Sequence, residues 1–499
     1  MNMSKNKIQR IAESMQVHSA RMIVFFLIFL ALWYFIIVFW CNNIFMTFVL
    51  FFLPILAFEG LIRFLMFWAY GRRYRFSLFN FLVVDDPVYG LAFRKNCSIQ
   101  DVDFLIFDRM AFPPGTPRIL DIKQNIEQRV PFHVDSLGFR GEGFSPKKRS
   151  HVLRVFCLGG STTACTSVGD GDTWPRQLMK YLVSKGYDVE VINGGVPSWY
   201  SYHDVLRCEK EVCQDKPDII LLHQGWNEEF FYSSLSLGKH WKPRIVRNVR
   251  EEYNLYCPPN RFISSTFSLF WYLMVQAYLK NLVFSPNMRF DNPDRWKVLA
   301  DNRYILAWVD NMVDIAGLAA RHGLLLYTMD YPGLVGLGDS SEERDIYVKN
   351  SRLSDLYADY QAVSKKRISH VLSELDPVIP CLNVEEDFAL CRGEERMELF
   401  YDEIHLTPKG CSLFADALGR KLARDRAFQM RYEKRKNRDT TGTNVRLEPR
   451  RVAEMRENVK KNKPYLERFV LKRCEALKSK RKGTSDDAME VPHDRYTTF

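Results

Sequence analysis

Cysteine is scarce in this chain. There are 11 in 499 residues, an odd number without regular spacing, so no disulfide framework is implied. Cys381 and Cys391 could pair, but spacing alone does not establish a bond. No Cys/His cluster has zinc-ligand spacing, so neither a metal nor another cofactor is expected. No internal repeat is evident. No recognised nucleic-acid-binding module accompanies the basic residues, so nucleic acid is not an expected partner. The largest absence is of charge: from Met22 to Phe58, 37 residues pass without one Asp, Glu, Lys or Arg.

As a single helix that run would be about 55 Å long, against a hydrocarbon core about 30 Å thick. The polar break Cys41-Asn42-Asn43 divides it and predicts two transmembrane helices, about 22–40 and 44–65, within a membrane segment 22–70. A cleaved signal peptide fits poorly, because the stretch is too long and no small-residue cleavage site follows. The flank 1–21 carries Lys5, Lys7, Arg10 and Arg21, and Arg72, Arg73 and Arg75 follow the segment. Basic residues on both sides favour a hairpin with both ends in the cytoplasm. One true span would put the large domain on the opposite face.

Charge elsewhere is uneven. Between Arg420 and Lys482 there are 23 Lys/Arg against 8 Asp/Glu, an excess of 15, while the whole chain is +11, so the remainder is net acidic by 4. The basic C-terminal tail, 426–499, therefore reads as mostly solvated helix or disorder that an anionic lipid surface would attract. Residues 76–150 form a lead-in with turn signals at Asp85-Asp86-Pro87, Pro113-Pro114-Gly115 and Gly138-Phe139-Arg140-Gly141. From 151 to 425 strand-like runs at 152–158, 188–192, 218–223 and 323–328 alternate with helix-like stretches at 173–186, 201–214 and 298–322. This alternation predicts an α/β domain with a parallel sheet and helices on both faces. An aromatic-rich insertion interrupts it at about 229–297, and a last helix is expected to start near Pro408.

Four short segments carry groups that chemistry can use. Gly159-Gly160-Ser161 ends the first strand, and Asn193-Gly194-Gly195 ends the second. Gln224-Gly225-Trp226-Asn227-Glu228 follows the third, and Asp402-Glu403-Ile404-His405 precedes the last helix. Ester cleavage through serine needs a hydroxyl, a base to take its proton, a group to orient that base, and donors for the oxyanion. Ser161 is the candidate nucleophile, His405 the base and Asp402 its orienting carboxylate. The N–H of Ser161, the N–H of Gly195 and the amide of Asn227 are candidate oxyanion donors. His223 is expected to be a satisfied core histidine, Cys157 a packing residue, and Glu403 a solvent-facing side chain.

In this order the segments resemble the SGNH hydrolases, the GDSL-like lipase/esterase superfamily, whose marks are a serine, a glycine, an asparagine and a histidine. They correspond here to Ser161, Gly195, Asn227 and His405, with Asp402 completing Asp-x-x-His. The resemblance spans about 150–425 and implies a flavodoxin-like α/β/α sandwich with no cofactor. Val134-Asp135-Ser136-Leu137-Gly138-Phe139-Arg140-Gly141 is similar to the approach seen in membrane-anchored bacterial members. Gly160 stands where Gly-Asp-Ser has its acid, and Glu228 where aspartate usually follows the asparagine.

The expectation is a membrane-anchored serine esterase, in a bacterial cell membrane, that cleaves a small acyl ester such as O-acetyl on a glycan or lipid. The resemblance also allows an extracytoplasmic domain. The same triad would serve an acyltransferase acting on an envelope polymer. A catalytically degenerate scaffold using the hairpin and basic tail is the non-enzymatic alternative.

Overall fold

In a computed structural model, the structure describes residues 83–103, 129–145, 147–229, 305–336, 339–350, 355–437 and 442–461, with positions 33, 296, 468, 472, 473, 475 and 476. The predicted membrane segment 22–70, nearly all of the insertion and most of the tail beyond 461 lie outside them. Among the described residues no helix is long and apolar enough to cross a membrane.

The lead-in contributes two small antiparallel pairs: β1 (Val83–Asp86) with β2 (Gly90–Phe93), and β3 (Cys97–Asp103) with β4 (Arg129–Val134). The main sheet has five strands: β5 (Leu153–Gly159), β6 (Val189–Asn193), β7 (Ile219–His223), β8 (Leu325–Met329) and β9 (Cys381–Leu382). Every neighbouring pair is parallel, in the spatial order β6-β5-β7-β8-β9. This is the flavodoxin-like order, which reverses direction beside its first strand and opens a crevice at the carboxyl ends there.

Why β5 is the central strand follows from its side chains. All seven of its residues are buried. Successive strand side chains point to opposite faces, so Leu153, Val155 and Cys157 enter one core while Phe156 and Leu158 enter the other. A strand covered on both faces has no polar alternation to show, which is why it reads as an apolar run whose one charge is Arg154, buried and paired with Glu190 at 2.6 Å. Each fully buried Val, Leu or Phe contributes about 1.5–3 kcal/mol of transfer free energy.

Of the helices, α1 (Ser161–Ala164) is a single turn that follows β5 directly. Next come α2 (Trp174–Ser184), α3 (Ser201–Lys210), α4 (Leu306–Arg321), α5 (Ser341–Asn350), α6 (Asp355–Leu375) and α7 (Pro408–Arg424). α2 and α7 pack together over one face, Tyr181 lying so close to Gly419 that a Cβ there would meet its ring carbon at 2.3 Å. α3 and α4 pack over the other face.

Two helices of the segment read as a solvated tail, α8 (Arg426–Lys436) and α9 (Pro449–Lys460), instead lie on the domain. Their apolar residues are too widely spaced for a strong sequence signal, yet Phe428, Met455 and Val459 are buried in the two cores. Cys381 and Cys391 are free thiols.

Candidate active site

Each candidate residue is placed by the end of a strand. β5 runs into Gly159, at φ +153°, and the chain then turns into α1, of which Ser161 is the first residue. The first N–H groups of a helix have no acceptor inside it, so the Ser161 N–H is not used within α1. The base arrives on a different element. Phe400 bridges Leu406 and closes the loop that carries Asp402 and His405. Thr407 then caps α7, its hydroxyl accepting from Gly410 N–H at 3.2 Å, with Pro408 at the first helical position.

Asp402 organises that loop by accepting the backbone N–H groups of Ile404 (2.8 Å) and His405 (2.7 Å) on Oδ1. Its Oδ2 lies 2.6 Å from His405 Nδ1. The other imidazole nitrogen, Nε2, is 2.8 Å from Ser161 Oγ. With Nδ1–H donating to the carboxylate, Nε2 is left as the acceptor of the serine proton. Burial disfavours charge on both partners, but their mutual attraction and hydrogen bond outweigh it. The His405 imidazole is held above its ordinary value and the Asp402 carboxyl below its own.

Gly195 and Asn227 are brought to the same turn. A Cβ on Gly195 would lie 2.2 Å from the Ala164 nitrogen, so only glycine lets the β6 end approach α1. The Gly195 N–H donates to Asn193 Oδ1 at 3.0 Å. Asn227 Nδ2 donates to the Trp199 carbonyl at 2.6 Å and lies against Gly160, where a Cβ would meet it at 2.6 Å. The amide carries a second proton beyond that bond. Glu228 fixes the third segment from behind, accepting Ser201 N–H at 2.6 Å and Gly225 N–H at 2.9 Å.

Two expectations are corrected. Glu403 does not face solvent: it is half-buried and accepts the hydroxyl of Tyr357, and burial beside Asp402 raises its carboxyl to about 7. His223 is buried and stacked on Tyr331 at 4.6 Å, but it is only partly satisfied. Nδ1 lies 3.4 Å from Thr162 Oγ1, while Nε2 has no hydrogen-bond partner among the described residues. Cys157 is fully buried in the core, as expected of a packing residue.

Sequence reading missed Arg140 as part of the site. Its guanidinium is buried, donates to the carbonyls of Ala164, Cys165 and Val168, and pairs with Asp170 at 3.2 Å. Its backbone N–H donates to Asn193 O at 2.9 Å. One residue of the lead-in therefore holds the end of α1 and the end of β6. The signal was its place between the glycines of Gly138-Phe139-Arg140-Gly141.

Serine, glycine, asparagine and histidine thus meet, in that chain order, at the carboxyl edge of a parallel sheet. No family model and no curated protein matches the sequence. Among solved structures, the chain is similar to a GDSL-like lipase from Bacteroides thetaiotaomicron (13% identity, TM-score 0.28), covering 57% of this chain and 92% of that one. It is similar to the acetyl xylan esterase AlAXEase (15%, TM-score 0.29; 53% and 98% covered). Axe2, an acetylxylan esterase from Geobacillus stearothermophilus, gives 14% and 0.28, with 54% and 93% covered. Scores this low add nothing to the strand order and site distances, which stand by themselves.

Proposed function

We propose that this chain is a membrane-anchored serine esterase of the SGNH type that hydrolyses a small acyl ester on a glycan or lipid. The observation that carries the reading is the continuous contact from Asp402 through His405 to Ser161, at 2.6 and 2.8 Å. In the proposed reaction Ser161 Oγ attacks the ester carbonyl while His405 Nε2 takes its proton. Asp402 stabilises the imidazolium, which then protonates the departing alcohol. Water, deprotonated by the same imidazole, releases the acid from the acyl-serine.

The Ser161 N–H and the second Asn227 N–H are the proposed oxyanion donors. Gly195 joins them once its N–H leaves the Asn193 side chain. The apolar run Met22–Phe58 supports the anchor, and the surplus of Lys and Arg after Arg420 supports attraction of the tail to anionic lipid. A bacterial cell membrane is the proposed location. Purified full-length chain in detergent should turn over a chromogenic acetyl ester, and Ser161→Ala should abolish that turnover. Equal rates for the two proteins would refute the reading.

A further inference from the structure

A second concave site lies at the opposite end of the sheet. It is a cleft of about 320 Å³ formed where the chain enters β5, β7 and β8, and roofed by α8. A strand the length of β5 separates it from Ser161 by roughly 20 Å at 3.3 Å per residue. Its lining includes Lys148, Arg149, Lys216, Arg431 and Arg435, with Asp218 as the single carboxylate.

That carboxylate is fully engaged. Asp218 Oδ2 accepts the Arg154 N–H at 2.8 Å and the Lys148 ammonium, while Oδ1 accepts Arg435 Nε at 3.0 Å. Arg431 donates to the carbonyls of Gly323 and Gly442. Lys216 is exposed and makes no ion pair among the described residues, and Arg149 reaches Asp188 only at 3.8 Å. By composition the lining holds five Lys and Arg side chains and one carboxylate.

Burial and the nearby Arg435 and Arg154 guanidinium groups work against the Lys148 ammonium, and Asp218 only partly offsets them. The amine is brought down to about 8. Concave walls of one sign concentrate counter-ions, and the guanidinium fork matches phosphate oxygens.

We propose that this cleft binds a phosphate group, borne by a lipid headgroup or by a small soluble phosphate. The site owes nothing to the Ser161 chemistry and stands or falls independently of it. The small volume fits one phosphate and a short substituent.

The test is calorimetric titration of full-length protein in neutral detergent with inorganic phosphate, dihexanoyl phosphatidylglycerol or dihexanoyl phosphatidylcholine, at constant ionic strength. Arg149→Glu/Lys216→Glu, a double change at exposed positions, should weaken binding at least 10-fold while turnover of a soluble ester is unchanged. Ser161→Ala should bind as wild type does. Binding of both phosphate and phosphatidylglycerol supports the site, as does phosphatidylglycerol alone, which names a lipid source, or phosphate alone, which names a soluble one. No binding by either, binding that the double variant retains, or a response to phosphatidylcholine or to sodium chloride as large as that to phosphate and phosphatidylglycerol would overturn it.

Discussion

Asn227 occupies the space that a side chain on residue 160 would need, its Nδ2 lying 2.6 Å from the Cβ position of Gly160. The Trp199 carbonyl closes the same space at 3.0 Å. Gly160→Ala is therefore expected to displace the amide from the serine turn. Loss of one oxyanion donor costs about 10²–10³-fold in kcat, and the variant should approach that range with KM little changed. An unchanged kcat in steady-state assays would remove Asn227 from the proposed oxyanion site.

The pH dependence follows from the imidazole. His405 must be neutral to accept the serine proton, and its value is raised above 6.5 in the folded chain. Activity should therefore fall as pH drops through a midpoint above 6.5. Asp402→Asn removes the charge that raises the imidazole, so the midpoint should move down while kcat falls on the order of 10⁴-fold. Glu403 adds a smaller field of the same sign. Glu403→Gln should lower the midpoint as well, but leave the plateau rate near wild type. A pH–rate profile of the three proteins checks both signs.

Arg140 makes a structural prediction. Arg140→Ala takes the guanidinium from Asp170, which keeps only its contacts to His133, and removes the Arg140 donors from the carbonyls of Ala164, Cys165 and Val168. Breaking a buried ion pair from one side costs about 3–5 kcal/mol, which urea titration of the detergent-solubilised protein should register. Arg140→Lys keeps the charge but loses the fork, and should recover only part of the stability and of kcat.

Much of this architecture was legible because β5, β7 and β8 are buried on both faces and print as mostly apolar runs, broken only by Arg154, His223 and Thr328. The glycines were legible for a related reason: at Gly160 and Gly195 a neighbouring segment fills the place of a Cβ. What escaped has equally physical causes. β9 is two residues long, too short for any period. α6 buries Tyr357, Tyr360 and Val363, but its polar residues Gln361, Ser364 and Arg367 are buried too, which blurs the helical stripe. The tail helices hold their place with a few anchors such as Phe428 and Val459 among many charges. Glu403 was read as solvent-facing because nothing in Asp-x-x-His announces Tyr357, which lies 46 residues away.

The most direct test of the triad is covalent. A fluorophosphonate should label the full-length protein once, and peptide mass analysis should locate the adduct on Ser161. His405→Ala should slow labelling by orders of magnitude, and Ser161→Ala should abolish it. Labelling at another residue, or undiminished labelling of Ser161→Ala, would contradict the account.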